Sequence, residues 1–264
     1  MTLIAPFFGS HPNLLLTKLT ASDLGLIGAH LAVVTLGQGQ VVYEAGDEVE
    51  HIYFPHDGMV SLLAVMQNGK AIETATVGRE GVVGAMAGLG LYTSMVRAVV
   101  QLPMVTSRIS AARFRHAVDA SKTIERTCIR YNEVLLSQAR ITAACNVLHR
   151  VDARFGRWLL QSADRAESTT VALTQELLSE MLGVRRTSVT EVAGELQKDG
   201  IISFSRGVIK ILDRSRLEAL SCECYQSLID QSATLGRHSV VAGATPSGAS
   251  NEITDGRMIP IRPV

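Results

Sequence analysis

The stretch "LTQELLSEMLGVRRTSVTEVAGELQKDG", Leu173 to Gly200, carries two short helical apolar patterns that meet at a glycine. Leu177, Leu178, Met181 and Leu182 share one face of a helix with about 3.6 residues per turn, and Thr174 stands where a side-chain oxygen caps the first turn. Val189, Val192, Ala193 and Leu196 make a second apolar face. Between them Leu182-Gly183-Val184 leaves room only for a tight turn, and glycine takes a positive φ without steric cost. Small Ser179 lets the two helices cross closely. The pattern predicts a helix-turn-helix, in which the second helix is carried across the first so that its outer face can enter a DNA major groove.

That outer face holds Thr187, Thr190, Glu191 and Gly194, with Arg186 at its N-terminal flank. Arginine can grip guanine O6 and N7 together, a carboxylate can accept from cytosine N4, and hydroxyls serve a base edge or a phosphate. The candidate DNA contacts are therefore Thr174, Arg185, Arg186, Thr187, Ser188, Thr190 and Glu191. A solvated αα-hairpin is the rival reading of the helix pair alone. The residues beyond Asp199 argue against it. Gly200 ends the helix, "IISFS" and "VIKIL" are β-rich runs, and Arg206-Gly207 between them is a turn with a cation at its tip. A β-hairpin in this position is a wing, with Arg206 and Lys210 placed for phosphate or minor-groove contact.

The 264 residues, 47% hydrophobic and 19% charged, suffice for two ordinary globular domains. Lys+Arg and Asp+Glu balance at 25 each, and Arg150 to Arg216 holds 11 basic and 9 acidic side chains. DNA affinity must then come from where the arginines sit rather than from bulk charge. The longest apolar stretch, around Val82 to Tyr92, is broken by glycines and is shorter than the ~20 residues of a membrane helix. "MTLIAPFFGS" lacks a basic n-region, which points to the cytoplasm. The four cysteines, Cys128, Cys145, Cys222 and Cys224, show no disulfide-framework spacing. Cys222-Glu-Cys224 without a second pair or nearby histidines is weak as a metal site, because a closed zinc site wants four ligands, and no metal is expected. A bland helix end is the alternative reading of that pair. No Ser/His/Asp, HExxH or paired-carboxylate spacing points to an enzyme.

From Leu31 to Ile109 the runs "LAVVTL", "QVVYEAG", "HIYFP", "MVSLLAVM", "AIETATV" and "RAVVQLP" are punctuated by glycines, the pattern of a small antiparallel barrel or sandwich. Asn68-Gly69 between "LLAVMQ" and "KAIETATV" is the strongest hairpin signal. "VGREGVVGAMAGLG", Val77 to Gly90, either lines backbone N–H groups on an anion or forms tight turns. It matches neither GxxxxGK[ST] nor GxGxxG. A long helix is expected from Ser121 to about His149. Ile124, Cys128, Tyr131, Leu135, Gln138, Thr142 and Cys145 alternate at three and four residues along it, a partly apolar seam. The same helix of a second chain is the simplest partner for that seam, and burial against the chain's own β-domain is the rival. The stretch from 226 to 264, whose part from Ser232 to Arg257 is rich in Ser, Gly, Ala and Thr, is expected to be disordered.

Taken together, "LTQELLSEMLGVRRTSVTEVAGELQKDGII", "GDEVEHIYFPHDGMVS" and "VGREGVVG" resemble the cyclic-AMP receptor protein and Fnr (Crp/Fnr) family of bacterial transcription regulators, over roughly Leu14 to Tyr225. "AACN", "RWLL" and "CECY", at Ala143 to Asn146, Arg157 to Leu160 and Cys222 to Tyr225, resemble one branch of it. The resemblance implies an α+β fold: a cyclic-nucleotide-binding-like β-roll (jelly roll) over 14–120, a long dimerisation helix over 121–149 and a winged helix-turn-helix over 150–220. It implies a homodimer on an inverted-repeat operator in double-stranded DNA, with RNA polymerase as a further partner. The family's base-reading arginine falls on Arg186, but its next acidic position is Thr187 here and a later arginine is Glu191, so the family's operator sequence does not carry over to this chain.

The family's ribose-binding Gly-Glu-x-Gly reads Gly78-Arg79-Glu80-Gly81, with the glutamate one place late, and Ser94-Met95 stands where Arg-Ser would hold the cyclic phosphate. Gly78, Arg79, Glu80, Gly81, Ser94 and Arg97 are thus the effector-site candidates, with no cofactor evident and an effector other than cyclic AMP expected. The cysteine cluster of the oxygen-sensing members is absent from the N-terminus. A DNA-free interaction module and a regulator answering another nucleotide are the alternative readings.

Overall fold

The computed structural model describes residues 12–237. The first unit is a roll of two antiparallel sheets. One orders β1 (Ala32–Leu36), β7 (Met104–Ser110) and β3 (His51–Pro55) as β1-β7-β3. The other orders β2 (Val41–Tyr43), β6 (Arg97–Leu102), β4 (Met59–Val65) and β5 (Ala71–Val77) as β2-β6-β4-β5. Helix α1 (Ala21–Gly28) precedes the roll, its first turn capped by Thr20. The β4–β5 hairpin forms around Asn68-Gly69, but only Gly69 takes a positive φ, and the loop closes through Gly69 N–H to Met66 O (2.9 Å) and Met66 N–H to Lys70 O (2.8 Å). The register of this pair slips between Leu62 and Leu63, leaving Thr74 as the extra residue on β5. Such a bulge re-aims its neighbours, and here Glu73 is buried beneath the sheet.

Helix α2 (Ala111–Ala120) leads into α3 (Lys122–Leu148), and the single residue between them, Ser121, ends one helix and caps the other by accepting from Ile124 N–H. Then come α4 (Val151–Arg165), β8 (Thr170–Ala172), α5 (Gln175–Leu182), α6 (Arg186–Lys198), β9 (Ile202–Ser205), β10 (Val208–Ile211), α7 (Arg214–Leu220) and α8 (Cys224–Arg237). The wing is three-stranded, ordered β8-β10-β9. Among the described residues no helix is long and apolar enough to cross a membrane.

Two expectations need correction. The part of the 226–264 stretch that is described is helical, since α8 continues to Arg237; the remainder, 238–264, lies outside the described residues, as does the N-terminal decapeptide. The second concerns the seam on α3. Ile124, Cys128 and Tyr131 are buried in the core of the roll with Leu135 packed against it, Gln138 accepts from Thr76 N–H (3.2 Å), Thr142 is half-buried and Cys145 is sealed against Cys222 and Cys224. This stripe therefore faces its own chain. Periodicity identifies a stripe but not what covers it, and α3 carries a second one. Arg126, Ile129, Glu133, Leu136, Arg140, Ala143 and Val147 repeat at alternating three and four residues and are all exposed.

The apolar cores do not respect the sequence units. Met59, Leu63 and Leu102 from the four-stranded sheet share one cluster with Phe155, Trp158 and Leu159 of α4, Leu178 of α5 and Val189 of α6. Glu73 ties the two sides, accepting from Ser61 Oγ (2.6 Å) and from Trp158 Nε1 (2.8 Å).

Candidate nucleic-acid interface

The turn between α5 and α6 is built as the sequence predicts. Gly183 sits at φ +64°, its N–H reaching Glu180 O (3.2 Å) and the Val184 N–H reaching Ser179 O (3.0 Å), the two bonds of a Schellman cap. Thr174 caps α5 by accepting from Leu177 N–H (3.2 Å). A Cβ at residue 183 would come within 2.8 Å of Ile72 on β5, so the turn lies directly on the roll.

Helix α6 buries Val189, Ala193 and Leu196 and exposes Arg185, Arg186, Thr187, Thr190, Glu191 and Gly194, with Ser188 half-buried at the edge. No apolar side chain interrupts the exposed face. Arg186 is held from α5 by Gln175 Oε1 (3.3 Å) and by an ion pair with Glu176, while Thr190 Oγ1 reaches the same Gln175 oxygen (3.1 Å). The pair is exposed on both sides, so exchanging Glu176 for a nucleic-acid acceptor costs little. At the wing, Arg206 and Gly207 both take positive φ, +50° and +74°, which makes the tight hairpin and projects Arg206 from its tip. Arg206 and Lys210 are exposed. Helix α6 with its N-cap Arg185 and the wing thus carry eight of the nine candidate DNA contacts, Ser188 at the margin, while the ninth, Thr174, is engaged as the cap of α5.

The six effector-site candidates fare differently. Glu80 accepts from Gly78 N–H (3.1 Å) and pairs with Arg165 at the end of α4 (2.9 Å). Burial opposes its ionisation, but the Arg165 guanidinium holds the carboxyl below its ordinary range. Arg79 pairs with Glu167, Arg97 with Glu44 (2.6 Å), and Ser94 closes its hydroxyl on Val96 O (2.7 Å). Gly81 is pressed against Tyr131 of α3, whose hydroxyl would lie 1.8 Å from a Cβ there. The charged groups are each paired with partners within the chain, Glu80 and Arg79 with residues at and just beyond the end of α4.

The isolation of the C-x-C pair expected from its spacing in the sequence needs correction. The last turn of α3 and its C-cap bring Cys145 and His149 to Cys222 and Cys224, with all four ligand atoms within 4.8 Å of one another. The sequence signal for this grouping is the i, i+4 spacing of Cys145 and His149, which puts both on one helix face. Counting Cys145 into the dimer seam hides it.

Comparison with known proteins places two family models on the chain, a cyclic nucleotide-binding domain over residues 33–121 and a Crp-like helix-turn-helix domain over 153–220. A relative, the HTH-type transcriptional regulator Cmr of Mycobacterium tuberculosis, is 24% identical over 200 residues, 75% of this chain and 79% of that protein. Among solved structures, the c-di-GMP responsive global regulator CLP of Xanthomonas campestris superposes with a TM-score of 0.60 at 18% identity, covering 73% of this chain and 99% of that one. FixK2 from Bradyrhizobium japonicum gives 0.61 at 17% identity, with 73% and 98% covered. At these identities the structures speak for the fold.

Proposed function

From a chain that belongs to the Crp/Fnr regulators and carries both their domains in order, we propose a homodimeric, sequence-specific DNA-binding transcription regulator that acts in the cytoplasm on an inverted-repeat operator, with RNA polymerase as partner. In this reading 14–120 is the sensor, 121–149 the dimer helix and 150–220 the DNA-binding unit. The observation that carries it is the uninterrupted polar face of α6, from Arg185 to Gly194, standing over buried Val189, Ala193 and Leu196 beside the exposed wing cations.

Arg186 at the start of that face is the base reader. Arg186→Ala is expected to lose ~1–3 kcal/mol at the preferred operator, selected from genomic fragments, while binding to random DNA changes far less. Electrophoretic shifts on both DNAs measure the difference. Equal loss on the two would leave Arg186 only a phosphate contact, and no shift with any fragment would favour a DNA-free interaction module.

The sensor does not answer cyclic AMP. A cyclic phosphate needs a charge-assisted donor, and the two nearby arginines, Arg79 and Arg97, are paired with Glu167 and Glu44. Titration calorimetry with cyclic AMP and cyclic GMP is expected to show no heat of binding. A micromolar constant coupled to tighter operator binding would mean that one of those ion pairs opens for ligand.

A further inference from the structure

Three sequence motifs left without a role in DNA binding converge on one spot. "AACN" supplies Cys145 and Asn146, "RWLL" supplies Arg157, and "CECY" supplies Cys222, Glu223 and Cys224. His149, one turn after Cys145, completes the group. Cys145 Sγ lies 3.6 Å from Cys222 Sγ, and Cys224 Sγ lies 3.5 Å from His149 Nδ1. A tetrahedron with metal–sulfur bonds of ~2.3 Å and metal–nitrogen bonds of ~2.0–2.1 Å has edges of about 3.8 Å between sulfurs and about 3.5 Å between sulfur and nitrogen. The two distances match those edges, and the remaining pairs lie within 4.8 Å. A disulfide would need the sulfurs at about 2.05 Å, and all four cysteines are free.

The surroundings are those of a metal centre. His149 turns Nδ1 toward the thiols while its Nε2 meets Glu223 Oε1 (3.0 Å), the carboxylate–histidine arrangement that fixes tautomer and ring orientation at metal sites. The three thiols are buried, with Ile141 and Ala153 packed against them. Arg154 and Arg157, each only 5% exposed, are in no ion pair among the described residues. Three thiolates around a divalent cation carry a net charge of −1, and both guanidiniums act electrostatically on this cluster. A buried cation wants such a counter-charge.

We propose that Cys145, His149, Cys222 and Cys224 form a closed four-ligand site for a zinc-class divalent cation, which staples the end of α3 to the start of α8 across the winged unit. Binding forms three metal–sulfur bonds and one metal–nitrogen bond in place of the hydrated cation's metal–water bonds, the water ligands and the thiol protons leave to solvent, and no group is oxidised or reduced. The His149 Nε2 proton stays on Glu223's side. The assignment stands independently of the DNA-binding reading.

The test uses the full chain, reduced and stripped with chelator under anaerobic conditions, then titrated with cobalt(II) and afterwards with zinc(II). One cobalt per chain is expected, with thiolate-to-metal charge transfer and the strong visible absorption of tetrahedral cobalt, bleached by zinc. Glu223→Gln, an exposed change that leaves packing intact, should weaken cobalt binding ~10–100-fold. Cys224→His should keep the tetrahedral spectrum while losing part of the sulfur charge transfer. Circular dichroism confirms that each variant is folded. Substoichiometric cobalt with only weak, six-coordinate absorption would overturn the proposal, as would a spectrum unchanged in the Cys145→Ser/Cys222→Ser double variant. A Cys145–Cys222 disulfide forming in place of metal uptake would overturn it too.

Discussion

Trp158→Ala is expected to cost about 3–5 kcal/mol in unfolding free energy, with about 1–3 kcal/mol more from the carboxylate it abandons. Trp158 is 1% exposed and stands in the cluster that joins α4 to Met59, Leu63 and Leu102 of the roll, so its removal opens a cavity between the two units rather than within one. Its Nε1 is also one of two side-chain donors to buried Glu73. Trp158→Phe should cost clearly less than alanine, because it keeps most of the volume and loses only the donor. Trp158 is the chain's single tryptophan, so urea unfolding of the variants has to be followed by circular dichroism, while fluorescence of the native chain reports on this seam alone. A loss below about 1 kcal/mol for the alanine variant, far under the range for a buried aromatic, would contradict the shared core.

Glu73 adds a pH signature. Burial pushes its carboxyl above the ordinary 4.5, against the hydrogen bonds from Ser61 and Trp158. A carboxyl raised in the folded state favours folding fully below its unfolded value and loses that contribution as pH rises through the folded one. Glu73→Gln is neutral throughout, so its stability should change less than that of wild type between mildly acidic and neutral pH.

Leu136→Glu is expected to yield monomers by sedimentation at micromolar concentration and to weaken binding to an inverted repeat by about 10²–10⁴-fold, the avidity lost when two linked sites become one. Leu136 is 43% exposed and central in the outer stripe of α3, between Ile129 and Ala143. Two such helices about a two-fold axis would bring the substituted carboxylates together in a desolvated seam. The single half-site should retain its weak affinity. Leu135→Glu makes the contrasting control: Leu135 packs against the core of its own roll, so that change should lower stability rather than dissociate a folded dimer. A dimer persisting in Leu136→Glu would move the interface elsewhere.

The contrast between Leu135 and Leu136 shows where sequence reading runs out. Local rules suffice where a residue's own backbone decides the structure: Gly183 at the turn, Thr174 as cap, Arg206-Gly207 at the wing tip and Gly69 in the hairpin. The exposed face of α6 follows from its buried one, because a single helix has only two sides. On α3 both stripes have the same heptad spacing, and which faces inward depends on Thr76, Tyr131 and Gly81 meeting from distant parts of the chain. The partners of two effector candidates are hidden for the same reason: Arg165 and Glu167, at the end of α4 and just beyond it, claim Glu80 and Arg79. His149 gives no sign beyond its spacing from Cys145, since its cysteine partners Cys222 and Cys224 lie more than seventy residues on.

The cluster that unites Met59, Leu63 and Leu102 with α4, α5 and α6 also bears on how the chain is made. A ribosome delivers the sheet first, and the side chains that will cover it, from Phe155 to Val189, are still to be added. At about 5–20 residues per second, the nascent roll presents a bare apolar flank for on the order of ten seconds before its lid is synthesised. That interval, more than the finished molecule, is when its apolar flank lies uncovered and open to aggregation.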